Sequence, residues 1–376
     1  MNFDFSEDLN LLRDEARKFL AEQCPTKSVR RILEGEAPFD RALWQQVAQM
    51  GWLGAAVPEA YGGAELGHEG LCVLAEELGR AIAPIPFASS VYLATEAILA
   101  YGSDAQKQHY LPKLAAGELI GCLAIAEGTD NPRAAAVAAR LTDGKLSGTK
   151  WPVADGSIAD FAVVVARDAQ DRIALALVDL SSAGVTRATL KTIDPTRDQA
   201  RIEFQGAAAE LLGTPGDWST VQALLDRAAV LLAFEQVGGA QACLEMATSY
   251  AKERIAFGRP IGSFQAIKHK LADVYTATEL ARSNAYYGAW ALATNAPELG
   301  LAAAAARVAG IDAFHLASKE NIQTHGGMGF TWELDCHLFY RRAKMLALTL
   351  GSARHWKNLL VDRWDASIPA TAQPTH

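Results

Sequence analysis

From Trp218 to Lys252 the chain runs without a proline and is rich in alanine and leucine. Such a run is predicted to form one uninterrupted helix, well beyond the usual three turns of a globular helix. Two further proline-free helical runs follow, Phe264 to Tyr287 and Leu301 to Glu320. Long helices joined by short breaks pack as antiparallel bundles. Residues 214–365 are therefore expected to be a C-terminal helical bundle, which the family resemblance given below makes a four-helix one.

The pattern ahead of this bundle changes once. Over residues 1–119 apolar positions recur at helical spacing, as in Leu9, Leu12, Ala16, Phe19 and Leu20. Asp40 to Gly51 reads as a helix capped by Asp40, and Leu71 to Leu78 and Val91 to Tyr101 as two more. Pro58 to Gly63 reads as a turn. Over residues 120–213 the pattern is that of strands. Ile120 to Ala126, Phe161 to Ala166 and Ile173 to Val178 are short apolar runs of strand length, and Arg201 to Phe204 alternates. Asp143-Gly144 is a hairpin signal. The run Gly213 to Gly216, with its proline, reads as a domain boundary. The expected fold class is thus α+β and multidomain: a helical domain, a middle β domain, then the bundle, the middle domain being a small β-barrel by the family resemblance given below. Residues 366–376 carry two prolines and no core pattern, which predicts a disordered tail.

Strands and helices do not alternate, which excludes a doubly wound nucleotide-binding sheet or a TIM barrel. The cluster Gly326-Gly327-Met328-Gly329 is therefore not a dinucleotide fingerprint. With 43 acidic against 35 basic residues and a formal charge of −8, neither nucleic acid nor an anionic membrane is expected as a partner. No run of eighteen apolar residues predicts a membrane span. The acidic N-terminus carries no export signal. Five scattered cysteines, Cys24, Cys72, Cys122, Cys243 and Cys336, form no CxxC pair. They read as buried free thiols of a reducing compartment, and the expected location is cytoplasmic.

Two segments carry chemistry. At the end of the long helix stand Arg254, Phe257, Gly258, Ile261 and Gln265. A guanidinium there is a fork for phosphate, and Gln265 pairs a donor with an acceptor. Arginine also suits any helix C-terminus, and Phe-Gly any turn. The second segment is Gln323, Thr324, His325, Gly326, Gly327, Met328 and Gly329. A helix C-cap needs one glycine; three in four residues let a ligand approach the backbone closely.

Taken together these segments resemble the acyl-CoA dehydrogenase family. The pattern Arg-x-x-Phe-Gly-x-x-Ile-x-x-x-Gln is matched by Arg254, Phe257, Gly258, Ile261 and Gln265, and Gln-x-x-Gly-Gly-x-Gly by Gln323, Gly326, Gly327 and Gly329. Pro58, Glu59, Tyr61, Gly62 and Gly63 are similar to the family's N-terminal turn. The resemblance implies FAD bound between subunits of a tetramer. It assigns Arg254, Phe257 and Gln265 to the adenosine-pyrophosphate half of a FAD whose flavin lies in the neighbouring subunit. Gln323 to Gly327, with Thr324, would cover the diphosphate and adenine. The implied reaction removes hydrogens from the α and β carbons of an acyl-CoA thioester and passes electrons to an external acceptor such as an electron-transfer flavoprotein.

The chain departs from the family's pattern at the other end of the site. The stretch expected to hold the flavin ring reads Ala126, Glu127, Gly128, Thr129, Asp130, Asn131, Pro132, and only Glu127 matches. In the second ring-binding piece Pro152 and Ala154 replace an isoleucine-neighbouring aromatic and a donor threonine; neither offers the lost hydrogen bond. Leu350 stands where many members carry the catalytic glutamate, and Ala228 where others do. Asp226 and Glu235 are the remaining candidate bases, Glu235 because a carboxylate in an apolar helix is costly unless paired or functional. A chain with half a site fits a hetero-oligomer with a complementary homologue, as in the family's α2β2 assemblies. The run Gly327 to Glu333 with His337 resembles bacterial members, some of which act on steroid side-chain or other bulky acyl-CoA thioesters. The alternatives are a homomeric enzyme with Glu235 or Asp226 as base, a catalytically silent regulatory subunit, and an oxidase-type relative.

Overall fold

The computed structural model describes residues 5–368. The chain opens with helices α1 (Glu7–Gln23), α2 (Thr26–Leu33), α3 (Arg41–Gln49) and α4 (Gly67–Arg80). Asp40 caps α3 as expected, its carboxylate accepting from the Leu43 N–H at 3.0 Å. A π-helix over Ala88–Thr95 then leads into α5 (Glu96–Tyr101). The spacing predicted ordinary helix here; the π turn is wider by one residue, and its side chains are almost all buried. α6 (Asp104–Ala115) starts with a reciprocal capping box between Ser103 and Gln106.

The strands follow: β1 (Gly121–Ala124), β2 (Arg140–Thr142), β3 (Lys145–Ala154), β4 (Phe161–Arg167), β5 (Ile173–Asp179), β6 (Val185–Thr189), β7 (Gln199–Ala208) and β8 (Glu210–Gly216). They make one eight-stranded sheet in the order β6-β7-β3-β2-β4-β5-β8, with β1 beside β4. β2 and β3 are joined at Asp143-Gly144, both at positive φ, which is the hairpin that the dipeptide predicts. β4 and β5 are buried along nearly their whole length, as apolar runs on both faces require. Gly213 to Gly216, where the sequence suggested a boundary, forms the end of β8, paired with β5 through Ile173 and Gly216, and the helical region begins at Trp218. Pro215 is tolerated because β8 is an edge strand, where a missing N–H breaks no ladder bond.

α7 (Trp218–Glu253) follows directly and, at 36 residues, spans about 54 Å. A two-residue ribbon, β9 (Ile255–Ala256) with β10 (Arg259–Pro260), connects it to α8 (Gln265–Ala293). Then come α9 (Leu299–His325), α10 (Cys336–Leu346) and α11 (Ala353–Ser367). α11 includes Ala366 and Ser367, so the predicted disordered tail is helical at its start. The rest of that expectation, residues 369–376, lies outside the described residues. α9 with the turn after it is long and apolar enough to cross a membrane by length and composition alone, but half of its apolar window is buried within the protein. The five cysteines are free and buried, as read from the sequence.

By contacts the chain groups into two compact units. One holds the residues up to Asp14, Ala75–Ile82 and everything from Ala229; the other holds Glu15–Leu74 and Ala83–Ala228. In the first unit α4 and α7 cross with almost no gap. A Cβ on Gly238 would come 1.8 Å from the Glu76 carbonyl oxygen, and one on Gly79 would come 2.0 Å from that of Glu235.

The second unit is tied by a polar cluster. Glu96 lies buried, with Oε1 2.8 Å from His68 Nε2 and Oε2 2.8 Å from Arg227 Nε. Burial alone would raise the Glu96 pKa; the hydrogen bond and charge of His68, with those of Arg227, outweigh it and hold the carboxyl below its usual value. A carboxylate whose folded-state pKa is depressed stabilises the fold above its unfolded pKa and loses that contribution as pH falls through the folded value. Glu96→Gln is therefore expected to cost about 2 kcal/mol at pH 7 and to flatten the acid limb of the stability curve. Urea unfolding of both proteins from pH 7 down to pH 3 measures this.

Candidate active site

The geometry around the end of α7 is built from the backbone outward. The Arg254 N–H still bonds to Tyr250 O at 2.8 Å, which closes the last helical turn. Phe257 and Gly258 then take positive φ and turn the chain between β9 and β10. Glycine accepts this at no cost, whereas Phe257 adopts a backbone that side chains seldom tolerate. Its ring is left 96% exposed. Arg259 lies over the Phe264 ring at 4.1 Å, and Phe264 N-caps α8, whose first residue is the exposed Gln265. Arg254, Phe257 and Gln265 thus all face solvent around one short ribbon.

The second segment meets the first through Tyr250. Its ring stacks on His325 at 4.2 Å, and its hydroxyl approaches Met328 Sδ at 3.9 Å. Gln323 is exposed, and Gly326 and Gly327 front open space: a Cβ on either would meet no atom within 4 Å. That is a cradle into which a ligand can come against the main chain. Thr324 differs from its neighbours. It is buried, and its hydroxyl donates to the Glu320 carbonyl at 2.7 Å. Its side chain turns into the protein while Gln323 faces out, because consecutive residues of a helix point about 100° apart.

Glu235, the sequence's candidate base, is buried on α7 at 1% exposure. Its Oε1 lies 3.7 Å from Arg342, itself 1% exposed. Burial pushes the Arg307 guanidinium down to about 9, opposed by the charge of Glu235. A buried carboxylate beside a buried arginine is a charge partner for it. It also lies nineteen helical positions from Arg254, about 28 Å along α7. The structural role is thus the one its surroundings support. Asp226 is buried as well and accepts from Gln222 at 2.9 Å. At Leu350 the backbone holds positive φ with no carboxylate to present.

The β sheet carries the other half of the expected site. Lys150 is fully buried, with Nζ 2.7 Å from Glu127 Oε1 and 3.0 Å from Ile125 O. Burial pushes the Lys150 ammonium down to about 8, and Glu127 offsets part of that. Glu127 also accepts from the Ala138 and Ala139 N–H groups at 2.9 and 3.0 Å. Both side chains are thereby spent inside the loop they organise. The register of β3 on β7 breaks between Lys150 and Val153, where exposed Pro152 has no N–H and Ala154 no side-chain donor. Neither residue offers a side-chain hydrogen-bond donor at this strand.

Comparison with known proteins agrees with the geometry. Residues 6–118 match the family model "Acyl-CoA dehydrogenase, N-terminal domain", and residues 218–363 match "Acyl-CoA dehydrogenase, C-terminal domain". This chain belongs to the acyl-CoA dehydrogenase family. It is 33% identical to the acyl-CoA dehydrogenase IpdE2 of Mycobacterium tuberculosis over 355 residues, 93% of this chain and 94% of that one. Among solved structures it is similar to a variant of the Tcur3481-Tcur3483 steroid ACAD, with 31% identity, a TM-score of 0.87 and coverage of 96% and 99% of the two chains. It is also similar to a chain of the ChsE4-ChsE5 complex from Mycobacterium tuberculosis, with 27% identity, a TM-score of 0.89 and coverage of 98% and 100%. The order of helical, β and helical domains is that of acyl-CoA dehydrogenases, which are flavoprotein oxidoreductases of acyl-CoA metabolism. Sequence reasoning did not find Tyr250, which joins the two motifs; its only sequence signal is its place one turn before Arg254.

Proposed function

We propose that this chain is one subunit of a FAD-dependent acyl-CoA dehydrogenase whose active site a homologous partner completes. The observation that carries the reading is a contrast. Gly326 and Gly327 front open space and Arg254 and Gln265 are exposed, while Pro152, Ala154 and Leu350 lack side-chain donors and a carboxylate. A bound FAD would supply the acceptor for the hydride that leaves the β carbon of the thioester. Arg254 gives the pyrophosphate a charge-assisted fork, and Gln265 stands at the N-terminal end of α8, where anions are favoured. Phe257 offers a ring face, and Gln323 an amide beside the cradle. Thr324 serves from beneath by filling the core. The carboxylate that removes the α-proton comes from the partner. Likeness to the steroid ACAD supports a bulky acyl group on the CoA thioester, and an external carrier collects the electrons.

The test is to purify this chain alone and together with a homologue that carries a carboxylate at the position of Leu350. Flavin per chain is read from absorbance, and turnover from thioester-dependent bleaching. The pair is expected to turn over at least about a hundredfold faster than the lone chain, the usual contribution of a positioned base. Full flavin and full turnover in the lone chain would defeat the proposal. Flavin in the pair without any bleaching would make this a silent subunit.

A further inference from the structure

We propose that His315, Lys319 and Lys344 form a surface site for a doubly charged tetrahedral oxyanion, a phosphate group either free or as a monoester. His315 and Lys319 stand one turn apart on α9, both exposed, and Lys344 on α10 reaches across to the His315 ring. Its Nζ donates to His315 Nδ1 at 3.0 Å. An ammonium only donates, so Nδ1 offers its lone pair and Nε2 carries the proton of the neutral ring. Tyr340, one turn earlier on α10, steadies the same ammonium, with Nζ 5.0 Å from the ring centre. The polar positions left over are all donors: the imidazole N–H and the remaining protons of two ammonium groups.

Carboxylates are short around this cluster. Asp312, one turn before His315, is taken by Lys357 of α11 at 3.0 Å. Glu320 is largely buried and is shared by Lys319 at 3.4 Å and Lys270 at 3.1 Å. Among the described residues, the ammonium groups of Lys270, Lys319, Lys344 and Lys357 thus meet only the carboxylates of Asp312 and Glu320, in a chain whose formal charge is −8. Burial, then the charges of Lys344 and Lys319, hold the His315 ring below its ordinary value, and only Asp312 works the other way. Ring and ammonium cannot both donate to each other. An oxyanion seated between them accepts from both, and from Lys319 as well. A phosphate group suits the place because it brings several acceptor oxygens to a set of donors and two charges to a surplus of two.

The experiment follows the His315 titration by NMR in the full chain labelled at histidine, with His315→Gln identifying its resonance among the eight histidines. The probe is sodium sulfate, doubly charged throughout the titration, set against sodium chloride at equal ionic strength. An anion that favours the charged ring raises the pH at which the ring loses its proton. Sulfate is therefore expected to lift the His315 midpoint by about one pH unit above its value in chloride, a tenfold firmer hold on the proton. Lys319→Gln and Lys344→Gln should each remove most of that difference, and thermal melts establish that both variants fold. Inorganic phosphate and glycerol 3-phosphate then separate the sources. A response to glycerol 3-phosphate assigns the site to monoesters, and a response to inorganic phosphate alone assigns it to the free ion. Equal midpoints in sulfate and chloride overturn the site, because screening alone relaxes the lysine repulsion equally in both salts. A sulfate effect that survives in both lysine variants does the same. A response to sulfate but to neither phosphate probe overturns the choice of phosphate.

Discussion

Gly238→Ala is expected to cost about 3 kcal/mol or more and to leave a chain that unfolds at markedly lower urea. The new methyl group would sit 1.8 Å from the Glu76 carbonyl oxygen and 2.9 Å from the Arg80 nitrogen. Neither is the movable tip of a side chain. Both belong to the backbone of α4, so the two helices must separate. Separation would also disturb the reciprocal contact, in which Gly79 meets the Glu235 carbonyl. It would strain the ion pair that spans the same crossing, Arg80 with Glu245, and the pair that Glu76 makes with Arg282 of α8. Gly128→Ala is the control: nothing lies within 4 Å of its Cβ, and its change should stay within about 0.5 kcal/mol. Equal urea midpoints for Gly238→Ala and the wild type would show that the helices are not this close.

Glu235→Gln is expected to lower stability by about 3–5 kcal/mol, because it strips a carboxylate from a site with buried guanidinium groups. Arg342 is 3.7 Å away, and Arg307 already titrates at about 9 against an ordinary value above 12. Removing the acidic charge pushes Arg307 further down. For a base with a depressed folded-state pKa, the unfolded chain holds more protons between the two values, so stability rises with pH across that interval. In Glu235→Gln this alkaline rise should begin at lower pH than in the wild type. Denaturant unfolding from pH 7 to pH 11 resolves both effects. A variant of unchanged stability that loses turnover in the assembled enzyme would instead make Glu235 the base, in a homomeric mechanism.

The legible parts of this fold were those written locally. Asp40 announces the start of α3, Asp143-Gly144 the β2–β3 hairpin, and two apolar runs the buried strands β4 and β5. The long helices α7, α8 and α9 follow from composition and the lack of proline. The less legible parts were those where local chemistry has two meanings. Glycine and proline at Gly213 to Gly216 mark a linker in one context and an edge strand in another, and only pairing with β5 decides. The π-helix before Glu96 shares its residue types with α-helix. In the site, the motif residues were readable but not their phase. Gln323 points out while Thr324 and His325 point in, which depends on how α9 is rotated against its neighbours. The pairs Lys150 with Glu127 and Arg342 with Glu235 join residues far apart in sequence, and no local pattern encodes them. The same holds for the grouping of Ala75–Ile82 with the chain beyond Ala229.

The bare ring of Phe257 bears on how the polypeptide fares before assembly. A phenyl group standing in water at the tip of a two-residue ribbon, with Phe330 nearly as uncovered, is a sticky surface. Synthesised in excess over whatever shields those rings, the protein would meet its own copies first, and precipitation would compete with productive association. On the proposed two-subunit reading, yield in a production host should then track the ratio of the two subunits made more closely than growth temperature or induction time.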